Sequence, residues 1–290
     1  MHCEVNTGVE IKEKSWDYAT LEKKAMELRE SVLRITTKAG TGHVTSSFSA
    51  MELLVALYYT DLLRVSPETR LSPDRDYFIY SKGHASPGIY CILADIGFFP
   101  KDDLSLFAQA GGKVGVLLKP DVPGVEATSG SLGHGLGIAA GIAEALRLDG
   151  RDNLVYCMLG DAECREGAVW EAAMHIGFRK LNHVITMIDC NTLGATHFVE
   201  KEAGIEPLED KWRACGFETV RINGHDFRAI AGALGNPHKR LPNKPLCLIA
   251  DTVKGKGVSF IENQPFMHGC AVKPERLEEA VAEVRKGLSL

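Results

Sequence analysis

The sequence predicts an α/β fold, a mainly parallel sheet flanked by helices. Three observations predict it. Short apolar runs with the length of buried strands alternate along the chain with longer stretches of helical periodicity. The apolar runs are continuous rather than alternating, the pattern of strands covered on both faces. And residues 154–191 hold the alternation in one unit: an apolar run at 154–159 stops at Gly160-Asp161, a helical stretch covers 167–178, and a second apolar run at 184–188 ends at Asp189-Cys190-Asn191. Strand, helix and strand in that order make the two strands parallel, with a right-handed crossover.

The other elements follow in chain order. Residues 1–15 are polar and read as a loose N-terminal segment. No composition break follows, so 16–290 reads as one domain. In 16–39, Leu21, Ala25, Leu28, Val32 and Ile35 are spaced for one helix face, and Gly40 ends the helix. After the loop Gly40-Thr41-Gly42-His43, Ser49-Ala50-Met51-Glu52 has the form of a capping box opening a helix to Leu63. A short strand at 77–80 ends in Ser81-Lys82-Gly83-His84, with a helix from near Ser86. A short helix is expected at 101–107 and an irregular loop at 111–123. A Gly-rich turn then runs into a helix of small residues. Residues 218–222 read as a strand, 226–234 as a helix and 246–252 as another buried strand. A Lys/Gly loop at 254–257 leads to Phe266-Met267-His268-Gly269, and Pro274 opens a last helix to Lys286.

Composition narrows the function. The chain has 290 residues, 45% of them hydrophobic, enough for a sizeable core. Its formal charge of −5 and scattered basic residues argue against a nucleic-acid surface. The apolar runs are too short to span a membrane, and the first residues lack a signal-peptide pattern. The eight cysteines include no C-x-x-C pair, which argues against a zinc site and for a reduced, cytoplasmic protein. Cys157 and Cys247, inside expected strands, read as small core hydrophobes.

The candidate chemistry sits where strands end. Asp161 and Asn191 each lie just past the carboxyl end of a parallel strand, the edge where open α/β sheets bind ligands. A carboxylate and an amide oxygen brought together there make a hard oxygen site for Mg2+ or Ca2+, and Mg2+ would complete its shell with phosphate and water. The structural alternative is a Gly-Asp turn and an Asn helix cap. His43, His84 and His268 each neighbour a glycine in a loop, where close backbone approach to a ligand is possible. Glu166 reads either as a functional acid or as a solvated residue favoured at a helix N-terminus. Gly135, Gly137 and Ala140 form a G-x-G-x-x-A pattern, but no strand precedes it, so a dinucleotide site is not expected.

Gly160-Asp161, with Asn191 about thirty residues further on, resembles the diphosphate motif of thiamine-diphosphate enzymes. The run GDAECREGAVWEAA resembles transketolases in particular, as do GVEATSGSLGHG, SKGHA and the Met-His-Gly run at His268. The motifs fall in family order between about Ala25 and Leu277. The resemblance implies a thiamine-diphosphate-binding fold of the diphosphate-binding type. It implies a cofactor site of His84, Gly130, Ser131, Leu132, Gly160, Asp161, Ala162, Glu163, Asn191 and His268. The metal would be held by Asp161, Asn191 and the Leu193 carbonyl. His43, His84 and His268 would serve substrate binding and proton transfer, and Glu166 would link cofactor sites across subunits. The chain departs from the family at Ala162, where glycine is usual, at Thr192 and Gly194, and at His134 in place of glutamine. Lys119 stands near where the family places a donor-binding histidine.

The resemblance implies transfer of a two-carbon ketol unit from a ketose, such as a sugar phosphate, to an aldehyde, using Mg2+ and thiamine diphosphate. No glutamate here matches the activating residue of the family's pyrimidine-binding half. The chain therefore resembles the N-terminal subunit of a split transketolase, expected to be inactive alone and to work with a C-terminal partner as an α2β2 assembly. The small and apolar faces of residues 128–142 and 170–177 suit such packing, though they would equally fill a core. Alternatives are another two-chain thiamine-diphosphate reaction, such as 2-oxo acid decarboxylation or a ketol transfer in specialised metabolism, and a non-catalytic subunit.

Overall fold

The structure is a computed structural model that describes residues 16–202, 204–235, 237 and 244–287. The expected loose segment at 1–15 lies outside the described residues. Ten α-helices and five strands are described. In chain order they are α1 (Tyr18–Ala39), α2 (Val44–Ser49), α3 (Met51–Tyr59), β1 (Tyr77–Tyr80), α4 (Ser86–Asp95), α5 (His134–Leu148), β2 (Val155–Gly160), α6 (Gly167–Arg179), β3 (Val184–Cys190), α7 (Val199–Glu202), α8 (Leu208–Ala214), β4 (Glu218–Asn223), α9 (Phe227–Leu234), β5 (Leu246–Asp251) and α10 (Leu277–Lys286). Short 3-10 turns lie between them, at Lys101–Leu106 among others. The strands form one sheet in the order β1-β2-β3-β5-β4, and every pairing is parallel.

Strands β1, β2, β3 and β5 each feed two cores, because successive side chains point to opposite faces, whereas the edge strand β4 sends Val220 and Ile222 to only one of them. Val155, Cys157 and Leu159 of β2 pack with Leu136, Ala139, Ala143, Val169, Ala173 and Ile176 from α5 and α6. Tyr156 and Met158 point the other way, into a larger core with residues of α1, α3, α4, α9 and α10. Both faces of β2, β3 and β5 are covered, as their continuous apolar runs require. Cys157 and Cys247 are fully buried in this sheet. Burial pushes both thiols well above the usual range, so they behave as core hydrophobes. Among the described residues, no helix is long and apolar enough to cross a membrane.

Several expectations need correction. The Ser49–Glu52 capping box does not form. The Ser49 hydroxyl donates instead to Asp189 Oδ2 at 2.6 Å, and Glu52 is taken by Arg29 and His225, so α3 starts from Ala50 without a side-chain cap. Helix α3 also stops at Tyr59 rather than Leu63. Thr60 turns extended, and its hydroxyl donates to the Ala56 carbonyl. The stretch before the supposed cap is itself the short helix α2. Helices α7 and α8 are not expected from the sequence, whereas β1 has its expected bounds. Strand β3 runs two residues further than its apolar run, through Asp189 and Cys190, because both side chains find buried partners.

Candidate active site

The parallel sheet aims all five strand ends at one edge. Ser81, Asp161, Asn191 and Thr252 follow β1, β2, β3 and β5 there. Asp161 is buried. Its Oδ1 accepts from the Ala162 N–H at 2.7 Å and its Oδ2 from the Thr192 N–H at 2.6 Å. Among the described residues no ammonium or guanidinium forms an ion pair with it. Burial, then the nearby Asp189 carboxylate, push its pKa up to about 6. A buried carboxylate that forms no ion pair with a described residue has the chemistry to hold a cation. The Asn191 amide, also buried, donates to Asp189 Oδ2 at 3.2 Å and accepts from the Leu193 N–H at 3.2 Å. The Leu193 carbonyl receives the Lys254 ammonium at 3.1 Å. Carboxylate, amide oxygen and carbonyl are the oxygen types that a hard cation takes. Among the described residues no cluster of three His, Cys, Asp or Glu forms a metal site of its own.

Glu163 ties the surrounding loops together. Its Oε1 accepts from the Gly133 N–H at 2.8 Å and from the Ser81 hydroxyl, and its Oε2 accepts from the Gly160 N–H at 3.0 Å. Burial raises its pKa against those donors. Ala162, at the glycine-favoured position, does not carry a positive φ, so its methyl brings no backbone strain. The left-handed residue is Thr192, at φ 62°. Gly130 has φ 130° and stands against Leu117. Ser131 is exposed and Leu132 half-buried, ahead of the first turn of α5. Gly135, Gly137 and Ala140 lie inside α5.

His43, His84 and His268 come together from three distant segments. Their ring centroids are 5.0 Å (43–84), 5.1 Å (43–268) and 5.1 Å (84–268) apart. Burial, then the Lys254 and Lys82 ammonium groups, hold His43 down at about 4. Burial and Lys254 take His268 to about 3, and burial with Lys82 holds His84 well below its ordinary value. All three imidazoles are therefore neutral at physiological pH, each able to donate a proton at one ring nitrogen and accept one at the other.

Lys82, Lys254 and Asp189 belong to the site but are not singled out by the sequence reading. Lys254 donates to the Leu193 and Gly194 carbonyls and meets His268 Nδ1 at 2.8 Å. Burial, then Lys82, lower its pKa to about 8. Lys82 pairs with Asp189 in full burial. The signals were present: Lys82 sits in the run that ends at His84, and Lys254 opens the Lys/Gly loop after a buried strand. Lys119 is exposed on the loop before α5, and no contact places its side chain beside the histidines. Glu166 is exposed at the start of α6, where its Cβ leaves no room for a side chain at Gly133.

The family described as "Transketolase, thiamine diphosphate binding domain" matches residues 22–289. This chain belongs to that family. It is 37% identical over 272 residues to a protein from Clostridium sp. strain MSTE9 named as a 6-deoxy-6-sulfo-D-fructose transketolase subunit, covering 92% of this chain and 96% of that one. It is 38% identical to a protein from Actinobacillus succinogenes named as an apulose-4-phosphate transketolase subunit, covering 92% of this chain and 97% of the relative. Mouse transketolase is 32% identical but only 42% of its length is covered. The crystal structure of Campylobacter jejuni transketolase superposes with a TM-score of 0.84 at 30% identity over 93% of this chain and 43% of that one. The chain thus spans nearly all of the two subunit relatives and under half of the longer transketolases. The binding domain for thiamine diphosphate, the all-parallel sheet and the transketolase fold agree with the expectations from sequence.

Proposed function

We propose that this chain is the cofactor-binding subunit of a two-component transketolase. With Mg2+ (or Ca2+) and thiamine diphosphate it would pass a two-carbon ketol unit from a ketose to an aldehyde. The observation that carries the reading is one cluster at the sheet edge: a buried carboxylate that forms no ion pair with a described residue, the Asn191 amide, and three neutral imidazoles in contact. Asp161, Asn191 and the Leu193 carbonyl would hold the metal, and Gly130 to Leu132 with Gly160 to Glu163 would line the cofactor. When bound, thiamine diphosphate supplies the carbanion chemistry that breaks and remakes the carbon–carbon bond. His43, His84 and His268 supply uncharged ring nitrogens that can move protons to and from substrate oxygens. Relatives named as subunits, spanned almost end to end, support a separate partner chain that completes the site. The proposal further has the two chains form an α2β2 assembly in the cytoplasm, with Glu166 linking cofactor sites across subunits.

Mixing the chain with its candidate partner, Mg2+, thiamine diphosphate, a ketose phosphate or sulfonate and an aldehyde should give ketol transfer, and either chain alone should give none. Asp161→Ala should abolish Mg2+-dependent cofactor binding in the mixture, and unchanged affinity would sink the metal assignment. Lys119 extends the reading to the donor. A flexible point charge there would favour a ketose bearing an anionic group. Both subunit relatives are named for such sugars, a sulfonate and a phosphate. Lys119→His should weaken the preference for charged over uncharged donors in the same assay, and an unaltered preference counts against this role.

A further inference from the structure

Asp189 is fully buried at the end of β3 and takes four donors: Lys82 Nζ, the Thr252 hydroxyl, the Ser49 hydroxyl at 2.6 Å and Asn191 Nδ2 at 3.2 Å. We propose that Asp189 is a positioning residue that fixes which end of the Asn191 amide faces the bound cation. The inference rests on the metal reading above.

Hydrogen-bond inventory decides the orientation. An amide's oxygen and nitrogen are nearly the same size, so shape alone does not choose between them. An ionised carboxylate is different, because it can only accept. The nitrogen must therefore face Asp189, and the oxygen must point away from it. The Leu193 N–H, donating to Asn191 Oδ1 at 3.2 Å, enforces the same choice from the other side. The buried Lys82 ammonium pairs with the same carboxylate, and the Ser49 and Thr252 hydroxyls donate to it, so the group that faces the amide is surrounded by donors and acts as an acceptor. A flipped amide would turn an NH2 group towards a divalent cation, where only the oxygen can ligate. Residues that orient ligands from behind are typically worth ~10–100-fold in metal affinity.

The test uses the full chain mixed with thiamine diphosphate and its partner subunit, with Mn2+ as the probe and free Mn2+ read by electron paramagnetic resonance. Asp189→Asn should weaken Mn2+ binding by ~10–100-fold, because an amide at 189 accepts either orientation of Asn191. The exchange variant Asp189→Asn/Asn191→Asp should recover affinity to within a few fold. A carboxylate at 191 offers oxygen from either end and can accept from the amide at 189, with the net charge unchanged. A purely structural role for Asp189 predicts no such recovery, and its absence overturns the proposal. If Asp189→Asn does not fold because Lys82 is left unpaired, Lys82→Met/Asp189→Asn removes that charge and should show the same loss. Full Mn2+ affinity in the folded single or double variant also overturns the lock. Asn191→Ala separates the two readings. Unchanged Mn2+ affinity there defeats the metal assignment itself, whereas a loss there with none in Asp189→Asn defeats only the lock.

Discussion

At the scale of single residues, two of the four departures from the family pattern, Ala162 and Thr192, are treated oppositely by the backbone. Ala162 sits in ordinary backbone, so the methyl that replaces a glycine hydrogen is free of strain. Thr192 carries φ 62°, a conformation that a β-branched residue rarely adopts. Two hydrogen bonds hold it there: its N–H donates to Asp161 Oδ2 at 2.6 Å, and its carbonyl accepts from the Val199 N–H at 2.8 Å. The left-handed region costs a residue with a Cβ about 1–2 kcal/mol. Glycine removes that cost but adds about 0.5–1 kcal/mol of unfolded-chain freedom. The Thr192 side chain is exposed, so little packing is lost. Thr192→Gly should therefore stabilise the chain by ~1 kcal/mol. The check is the urea midpoint at constant m-value, and a lower midpoint would show that the threonine side chain has a favourable role at this turn.

At the scale of elements, legibility follows how local the cause is. The strands β1, β2, β3 and β5 are readable because a buried parallel strand must be apolar throughout, and the helix ending at Gly40 because the αL cap needs glycine. The capping box fails for a non-local reason. Ser49 and Glu52 have the right types and spacing, but both are claimed by partners far along the chain: Ser49 by Asp189, Glu52 by Arg29 and His225. Burial opposes charge on Glu52, yet Arg29 and His225 hold its pKa down at about 2, so the pairing outweighs the cap. The same logic hides the site's second layer. Asp161, Asn191 and the three histidines announce themselves by strand-end position or by a neighbouring glycine. Lys82, Asp189 and Lys254 acquire meaning only when β1, β3 and β5 are assembled into one sheet and bring buried charges within reach of one another.

At the scale of the whole molecule, the two faces of the sheet differ. The side with α1 to α4, α9 and α10 closes into the larger core. On the other side, α5 and α6 pack together with their C-terminal ends adjoining: Glu144 pairs with Arg179 at 2.7 Å, and Arg147 reaches the Arg179 carbonyl at 3.3 Å. Beside those ion pairs the helices leave Leu148 and Phe178 each 82% exposed and Met174 56% exposed. Large apolar side chains grouped on one face mark an interaction surface more often than scattered ones do. Residues 128–142 and 170–177 suited either an interface or core filling, and α6 has both a buried and an exposed apolar side. Val169, Ala173 and Ile176 of α6 fill the core, while Met174 and Phe178 face outward. A contact between subunits through these side chains would rest on an aromatic anchor, whose loss typically costs ~2 kcal/mol or ~30-fold in dissociation constant. Phe178→Asp should accordingly shift the assembly formed with the partner towards smaller species in sedimentation velocity. Because Phe178 is outside the core, the thermal midpoint of the isolated chain should stay where it is. An assembly of undiminished mass and stability would place the contact between subunits on another face of the molecule.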